Sequence, residues 1–193
     1  MTDRRQFLQT AAVLSAAPLA SRAVFAGGRE FGLLEAVVVD TRHGEAFAFG
    51  ERAQTMGVPV RPIEGDITDL WSQVLLPRWR SGPVALAGMT ERPALFLLER
   101  LGWDHGLRVV FEAEHGPDGL GGIMHSVVRS ADAALAPALA AAGSRWTAVL
   151  ADAMFAGNRA ATRDFRPSGA AMAARRDEPT RLHSWIIAPR TAA

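Results

Sequence analysis

The sequence predicts an open three-layer α/β sandwich, in which a mostly parallel sheet of about five strands carries helices on both faces. Between residues 34 and 115, short apolar runs alternate four times with segments that repeat apolar residues at helical spacing. The connections between them are short, which is typical of parallel strands joined by right-handed crossovers. The chain has no cysteine, so its stability must come from a hydrophobic core and not from disulfides.

Four apolar segments in this region have the length and composition of strands. Residues 34–39 form a continuous run rich in valine, which is typical of a strand buried on both faces. Residues 58–64 contain two prolines, which favours a position near the sheet edge. The third and fourth predicted strands are residues 84–87 and 107–111.

Three segments between these strands have helical periodicity. The first is predicted at residues 45–56. The second follows Asp66, whose carboxylate can accept backbone N–H groups as an N-cap, and Pro77 is expected to limit its length. The third is predicted at residues 91–101, with Thr90 as its N-cap.

The pattern becomes less regular beyond His115. A glycine-rich loop follows at residues 116–122. Further strands are predicted at residues 123–129 and 183–188, helices at residues 131–142 and 146–154, and a long surface loop at residues 157–181.

The first 26 residues have the order of an export signal. Charged residues are followed by an apolar run at residues 10–20, which is far shorter than the roughly 20 residues needed to cross a bilayer. Residues 24–26 form a small-x-small site, so cleavage is expected after Ala26, although a leader retained as an anchor remains an alternative. The remaining residues, 27–193, are predicted to form a single α/β domain.

The start of this leader resembles the twin-arginine (Tat) consensus. Arg4 and Arg5 precede a variable residue, Phe7 and Leu8, and Gln9 stands where the consensus usually has lysine. The resemblance implies that the Tat translocase recognises these arginines with Phe7 and Leu8. It also implies that the chain is exported to the periplasm in a folded state.

The composition excludes several kinds of chemistry. All 21 basic residues are arginine, so a Schiff-base lysine and a Walker A lysine are excluded, and the lack of cysteine excludes thiolate nucleophiles and thiolate metal ligands. Without the leader the chain has 18 basic and 19 acidic residues, a net charge of −1, which does not favour a nucleic-acid partner.

Sequence motifs for cofactors and for a serine nucleophile are also missing. No Gly-x-Gly-x-x-Gly follows residues 34–39, which argues against a Rossmann dinucleotide site. A flavodoxin-like fold would match the predicted architecture, but no phosphate loop rich in serine and threonine follows the first strand. The chain also lacks Gly-x-Ser-x-Gly. The sequence therefore assigns no cofactor.

Polar side chains follow several of the predicted strands at their carboxyl ends, where ligands bind in open parallel sheets. Arg42 offers a bidentate positive charge, which favours a carboxylate or phosphate, whereas Asp40 favours a hydroxyl group. A small anionic or hydroxylated ligand, above all a hydroxylated acid, is therefore expected. The predicted ligand-binding residues are Asp40, Thr41, Arg42, His43, Thr90 and His115.

A metal site at the end of the fourth strand is an alternative. Glu112 and Glu114 would lie on one face of that strand and His115 on the other, and His125 would have to reach across the glycine loop. Because these four residues converge only if the strand bends, the sequence predicts no metal site.

Two functions remain open. The absence of compact catalytic motifs favours a small-ligand-binding or accessory protein, which would be a partner of another exported protein. The alternative is a periplasmic enzyme of hydrolase type, in which Asp40, His43 or His115 acts as acid or base.

We expect that replacing both Arg4 and Arg5 with lysine prevents export. Lysine preserves the positive charge of the leader but not the arginine pair that the translocase recognises. Fractionation of a Gram-negative cell followed by immunoblotting measures this outcome. An undiminished amount of the variant in the periplasm would contradict the Tat prediction.

Overall fold

The computed structural model describes residues 34–130, 132–155 and 180–189. The strands are β1 (Leu34–Asp40), β2 (Val60–Ile63), β3 (Ala85–Thr90), β4 (Leu107–Pro117), β5 (Ile123–Arg129) and β6 (Leu182–Pro189). The helices are α1 (Gly44–Thr55), α2 (Leu76–Ser81), α3 (Arg92–Trp103), α4 (Leu135–Ala142) and α5 (Trp146–Phe155). A π-helical segment (Leu70–Leu75) precedes α2, and a 3-10 turn (Gly143–Arg145) joins α4 to α5.

The strands form one six-stranded mixed sheet in the order β2-β1-β3-β6-β4-β5. Strand β1 is parallel to both of its neighbours, whereas β6 is antiparallel to β3 and β4, and β5 is antiparallel to β4. The α/β class is therefore confirmed. The prediction of a mostly parallel sheet is not, because three of the five pairings are antiparallel.

The difference comes from the position of β6. Residues 182–188 of this strand are all buried, and a strand that is buried throughout needs partners on both sides. It therefore lies between β3 and β4 and is antiparallel to both. Strands β1, β2, β3 and β4 nevertheless run in the same direction, so their carboxyl ends lie at one edge of the sheet.

The two faces of the sheet pack in separate clusters. Val37 and Val39 of β1 belong to a cluster with residues of α1, α4 and α5, whereas Ala36 and Val38 belong to one with residues of α3 and the helical segment before β3. This alternation confirms that β1 is buried on both faces. It also places α1, α4 and α5 around one side of the sheet edge where β1 and β4 end.

The second helix continues through its proline. Pro77 lies in the first turn of α2, and the helical segment extends to Ser81. The π-helical turn before it changes the hydrogen-bond register, so that the Leu76 N–H donates to the Trp71 carbonyl, five residues earlier. The expectation that Pro77 limits this helix was therefore wrong, because a proline in the first turn of a helix removes no bond that the helix needs.

Some predictions lie outside the described residues. These are the leader and most of the long loop predicted at residues 157–181. Among the described residues, no helix is long and apolar enough to span a membrane.

Replacement of Gly88 by alanine is expected to destabilise the fold by about 2 to 3 kcal/mol, the upper range for overpacking a core. Gly88 is in β3, and a Cβ atom there would lie 2.7 Å from the Val38 carbonyl oxygen and would overlap the buried indole of Trp185. Gly44→Ala is the matched control, because a Cβ atom at Gly44 has no neighbour within 4 Å. Urea denaturation of both variants measures the difference, and equal stabilities would contradict the prediction.

Candidate functional site

A cavity of about 1070 Å³ opens at the carboxyl edge of the sheet. Four parts of the chain enclose it: the turn between β1 and α1 with the start of α1, the β4–β5 hairpin, the connection between α4 and α5, and the start of β6. The polar and aromatic residues that line it include Arg42, His43, His115, His125 and Trp146. Three of the predicted ligand-binding residues, Arg42, His43 and His115, therefore lie in one cavity.

Asp40 and the partly exposed Arg42 form a bidentate ion pair beside this cavity. Asp40 is fully buried at the end of β1, and its Oδ1 and Oδ2 atoms accept hydrogen bonds from Arg42 Nε at 2.8 Å and Nη2 at 2.5 Å. The hydrogen bond from Asp40 raises the pKa of Arg42 above its already high ordinary value. The positive charge that the sequence assigned to a ligand is thus already neutralised within the chain.

His43 is held by a second carboxylate. Its Nε2 atom lies 2.9 Å from Glu91 Oε1 and 3.9 Å from Asp40 Oδ2, and Arg42 Nη2 lies 3.4 Å from the same Glu91 oxygen. The result is a compact group of one imidazole, one guanidinium and two carboxylates. Sequence reasoning missed Glu91, because this residue was assigned to the start of a helix and not to the sheet edge.

Asp40, His43 and Glu91 also form a potential set of metal ligands. Their ligand atoms all lie within 4.8 Å of one another. However, the guanidinium of Arg42 is bonded to Asp40 and lies near Glu91, so it already provides the positive charge that this group of acids requires. A metal ion would have to displace it.

The two threonines of the predicted site do not line the cavity. Thr41 donates its hydroxyl to the Ile63 carbonyl at 3.1 Å, which ties β1 to β2. Thr90 is fully buried, and its hydroxyl accepts a hydrogen bond from Trp185 Nε1 at 3.1 Å. Thr90 was also expected to cap α3, which was wrong: it is the last residue of β3, and the N-cap position belongs to Glu91.

Two imidazoles meet at the other side of the cavity. His115 of β4 pairs directly with His125 of β5, and their Nδ1 atoms are 2.9 Å apart. His115 Nε2 lies 2.8 Å from Ser184 Oγ in β6. The Trp146 ring packs over both imidazoles, with centroid distances of 4.5 Å to His115 and 4.9 Å to His125.

Burial determines the charge of this histidine pair. It lowers the pKa of His115 to about 3, with smaller contributions from repulsion by His125 and His183. Burial also lowers the pKa of His125. Both rings are therefore neutral at physiological pH, and each has one nitrogen that donates and one that accepts a hydrogen bond.

The acidic residues that were considered with His115 as metal ligands lie apart from it. Glu112 accepts a hydrogen bond from Arg92 Nη1 at 2.7 Å and lies 3.2 Å from His183 Nδ1. Glu114 is paired with Arg181. Strand alternation separates these glutamates from His115, as the sequence predicted, so the four candidate metal ligands do not converge.

His125 and Trp146 also line the cavity and were not included in the predicted ligand site. The hairpin contained a signal for His125, because His115 and His125 are equally distant from Leu120 at the centre of the turn between β4 and β5, so they face each other across the hairpin. No comparable signal indicated Trp146, whose helix returns to the sheet from a distant part of the chain.

Comparison of the chain with protein-family models, curated proteins and solved structures finds no match. The fold and the site therefore define the class of protein. It is an α/β domain with a mixed sheet and a cavity at the sheet edge where β1, β2, β3 and β4 end.

We expect acid to destabilise the protein through His115. Its pKa is about 3 in the folded chain and about 6.5 when unfolded, so below pH 6.5 the unfolded state binds a proton that the folded state does not. The contribution of His115 to the free energy of unfolding is thus constant above pH 6.5. It decreases by about 1.4 kcal/mol for each pH unit as the pH falls toward 3.

Urea denaturation at pH 7 and pH 5 measures this effect. The His115→Asn variant lacks the titrating group. Between pH 7 and pH 5, its free energy of unfolding should therefore fall by about 2 kcal/mol less than that of the original chain. Equal losses in the two proteins would show that His115 is not held neutral by burial.

Proposed function

We propose that this chain is an exported protein that binds a small, uncharged, hydroxylated ligand in the cavity at the sheet edge. The observation that carries the proposal is the pairing of Arg42 with Asp40, because Arg42 is the one fixed cation among the described residues that line the cavity. The cavity is also large enough for such a ligand. The export step, by the Tat pathway to the periplasm with cleavage near Ala26, rests on the leader sequence. A partnership with another exported protein is compatible with this role.

The electrostatics of the cavity favour an uncharged ligand over an anion. Glu45 and Asp118 line it as well, and the pKa of Asp118 is lowered by hydrogen bonds from the Leu120 and Gly122 backbone N–H groups, which keep it ionised. An anion would therefore meet acidic groups without an unpaired cation in the described lining. This argues against the carboxylate or phosphate that Arg42 alone suggested.

The hydrogen-bonding groups of the cavity suit hydroxyls. A hydroxyl group both donates and accepts a hydrogen bond, so it can bind to either kind of ring nitrogen. His43 and His125 both line the cavity, and each has one ring nitrogen engaged within the chain: His43 Nε2 with Glu91, and His125 Nδ1 with His115. A ligand with several hydroxyl groups can bind to the other nitrogens, His43 Nδ1 and His125 Nε2. The volume of about 1070 Å³ is at the upper end of the range of about 300–1,000 Å³ that is usual for small-molecule sites.

A second candidate function is acid–base catalysis by His43. The 2.9 Å contact between His43 Nε2 and Glu91 Oε1 is the geometry in which a carboxylate orients an imidazole and stabilises its protonated form. If the Nε2 atom carries the proton that Glu91 accepts, the Nδ1 atom is left as a base. A periplasmic hydrolase of this kind would use the same cavity for its substrate.

The ligand class is tested by calorimetric titration of the purified chain with uncharged polyols and monosaccharides and with the matching sugar acids. We expect saturable binding of at least one uncharged compound, and affinity at least tenfold lower for its acid. His43→Ala should weaken binding at least tenfold, because it removes a hydrogen-bonding group from the cavity. The matched control is His105→Ala, since His105 lies in the turn between α3 and β4, at the opposite edge of the sheet.

Two results would contradict the binding proposal. Tighter binding of the acids would show that Arg42 is available to anions despite its pairing with Asp40. Turnover of generic ester, phosphate or glycoside substrates that is abolished by His43→Ala and preserved in His105→Ala would instead identify an enzyme.

A further inference from the structure

The histidine pair on the β4–β5 hairpin brings two ring nitrogens to the distance of a hydrogen bond, which is also short enough for both to bind one metal ion. His115 and His125 are directly opposite residues of two antiparallel strands, and their rings are 5.1 Å apart at an interplanar angle of 66°. The Nδ1 atoms face each other at 2.9 Å. Within the described residues, His125 Nε2 has no hydrogen-bond partner, and the ring lines the cavity.

The separation of the two nitrogens is informative about metal geometry. Imidazole nitrogens bind divalent transition metals at about 2.0–2.1 Å, so two of them at a right angle are about 2.9 Å apart, whereas a tetrahedral angle requires about 3.3 Å. The observed distance of 2.9 Å matches the right angle. Right angles between nitrogen ligands are typical of tetragonal Cu(II) and Ni(II) sites and not of tetrahedral zinc.

Ser184 provides the kind of support that metal-binding histidines usually have. A ligating imidazole commonly donates its other ring N–H to a neighbouring acceptor, which fixes the tautomer and the orientation of the ring. Ser184 Oγ lies 2.8 Å from His115 Nε2 and is fully buried in β6. With the proton of His115 on Nε2, its Nδ1 atom accepts the hydrogen bond from His125 Nδ1, and metal binding at both Nδ1 atoms would move that proton of His125 to its Nε2 atom.

Neutrality of the pair is a second requirement, because an imidazole must be unprotonated to bind a metal. Burial of the two rings keeps them neutral above pH 6.5. The site is also accessible, since His125 is half-buried and the cavity opens at the sheet edge.

We propose that His115 and His125 bind Cu(II) through their Nδ1 atoms as two adjacent ligands of a tetragonal site. The remaining positions face the cavity and would be taken by water or by oxygen atoms of a small molecule. The inference is independent of the hydroxylated ligand, because it rests on the two imidazoles and Ser184. The Asp40, His43 and Glu91 group is the competing site, but it offers one imidazole and has Arg42 bonded between its acids.

The test is titration of the full-length chain with copper sulfate at pH 7.5, followed by calorimetry and by electron paramagnetic resonance. We expect one equivalent of tetragonal Cu(II) with hyperfine splitting from two nitrogens. His125→Ala should weaken binding at least tenfold and remove one nitrogen from the spectrum, whereas His105→Ala and His43→Ala should leave both unchanged. Circular dichroism verifies folding, and His125→Asn is a second variant that keeps a polar side chain of smaller size.

Several outcomes would overturn the proposal. An absence of saturable copper binding, or equal affinity in the original chain and both His125 variants, would mean that the two imidazoles form a hydrogen-bonded pair only. Loss of copper in His43→Ala with retention in His125→Ala would assign the metal to the Asp40, His43 and Glu91 group. A tetrahedral spectrum with Co(II) together with tighter binding of zinc than of copper would contradict the right-angle geometry.

Discussion

The sheet depends on the insertion of β6 between β3 and β4. This strand bonds to both neighbours and thereby joins two groups of strands, β2-β1-β3 and β4-β5, which have no other connection in the sheet. Its burial on both faces provides the driving force, because an apolar strand with no exposed side is stable only inside a sheet. Because β6 is antiparallel to both β3 and β4, β4 runs in the same direction as β1. The histidine pair therefore lies at the same edge of the sheet as Asp40, Arg42 and His43.

At that edge, the charged side chains beside the cavity are paired with one another. Asp40 is fully buried, and a buried carboxylate needs a charged or hydrogen-bonding partner. Arg42 supplies it with two hydrogen bonds, and Glu91 then takes the hydrogen bond of His43. The one guanidinium among the described lining residues is thus engaged by a carboxylate of the chain itself.

The second polar group of the cavity is organised by burial and not by charge. His115 lies between Ser184 and His125 under the ring of Trp146, in surroundings where a protonated imidazole is strongly disfavoured. Neutral rings held by hydrogen bonds at fixed separation are suited to binding a hydroxyl group or a metal. The cavity therefore combines an ionic group on the β1 side with an uncharged group on the hairpin side.

The sequence by itself determined the α/β class, the burial of β1 on both faces and the three lining residues Arg42, His43 and His115, because these follow from local periodicity and from the rule that parallel strands end at one edge. The tertiary structure alone decided the place of β6 and the contacts of Glu91 with His43 and of Trp146 with the histidine pair. Such contacts join residues that are far apart in the chain, 48 positions in the case of His43 and Glu91. No local pattern encodes them, since they arise only when burial of the last strand brings the two halves of the sheet together.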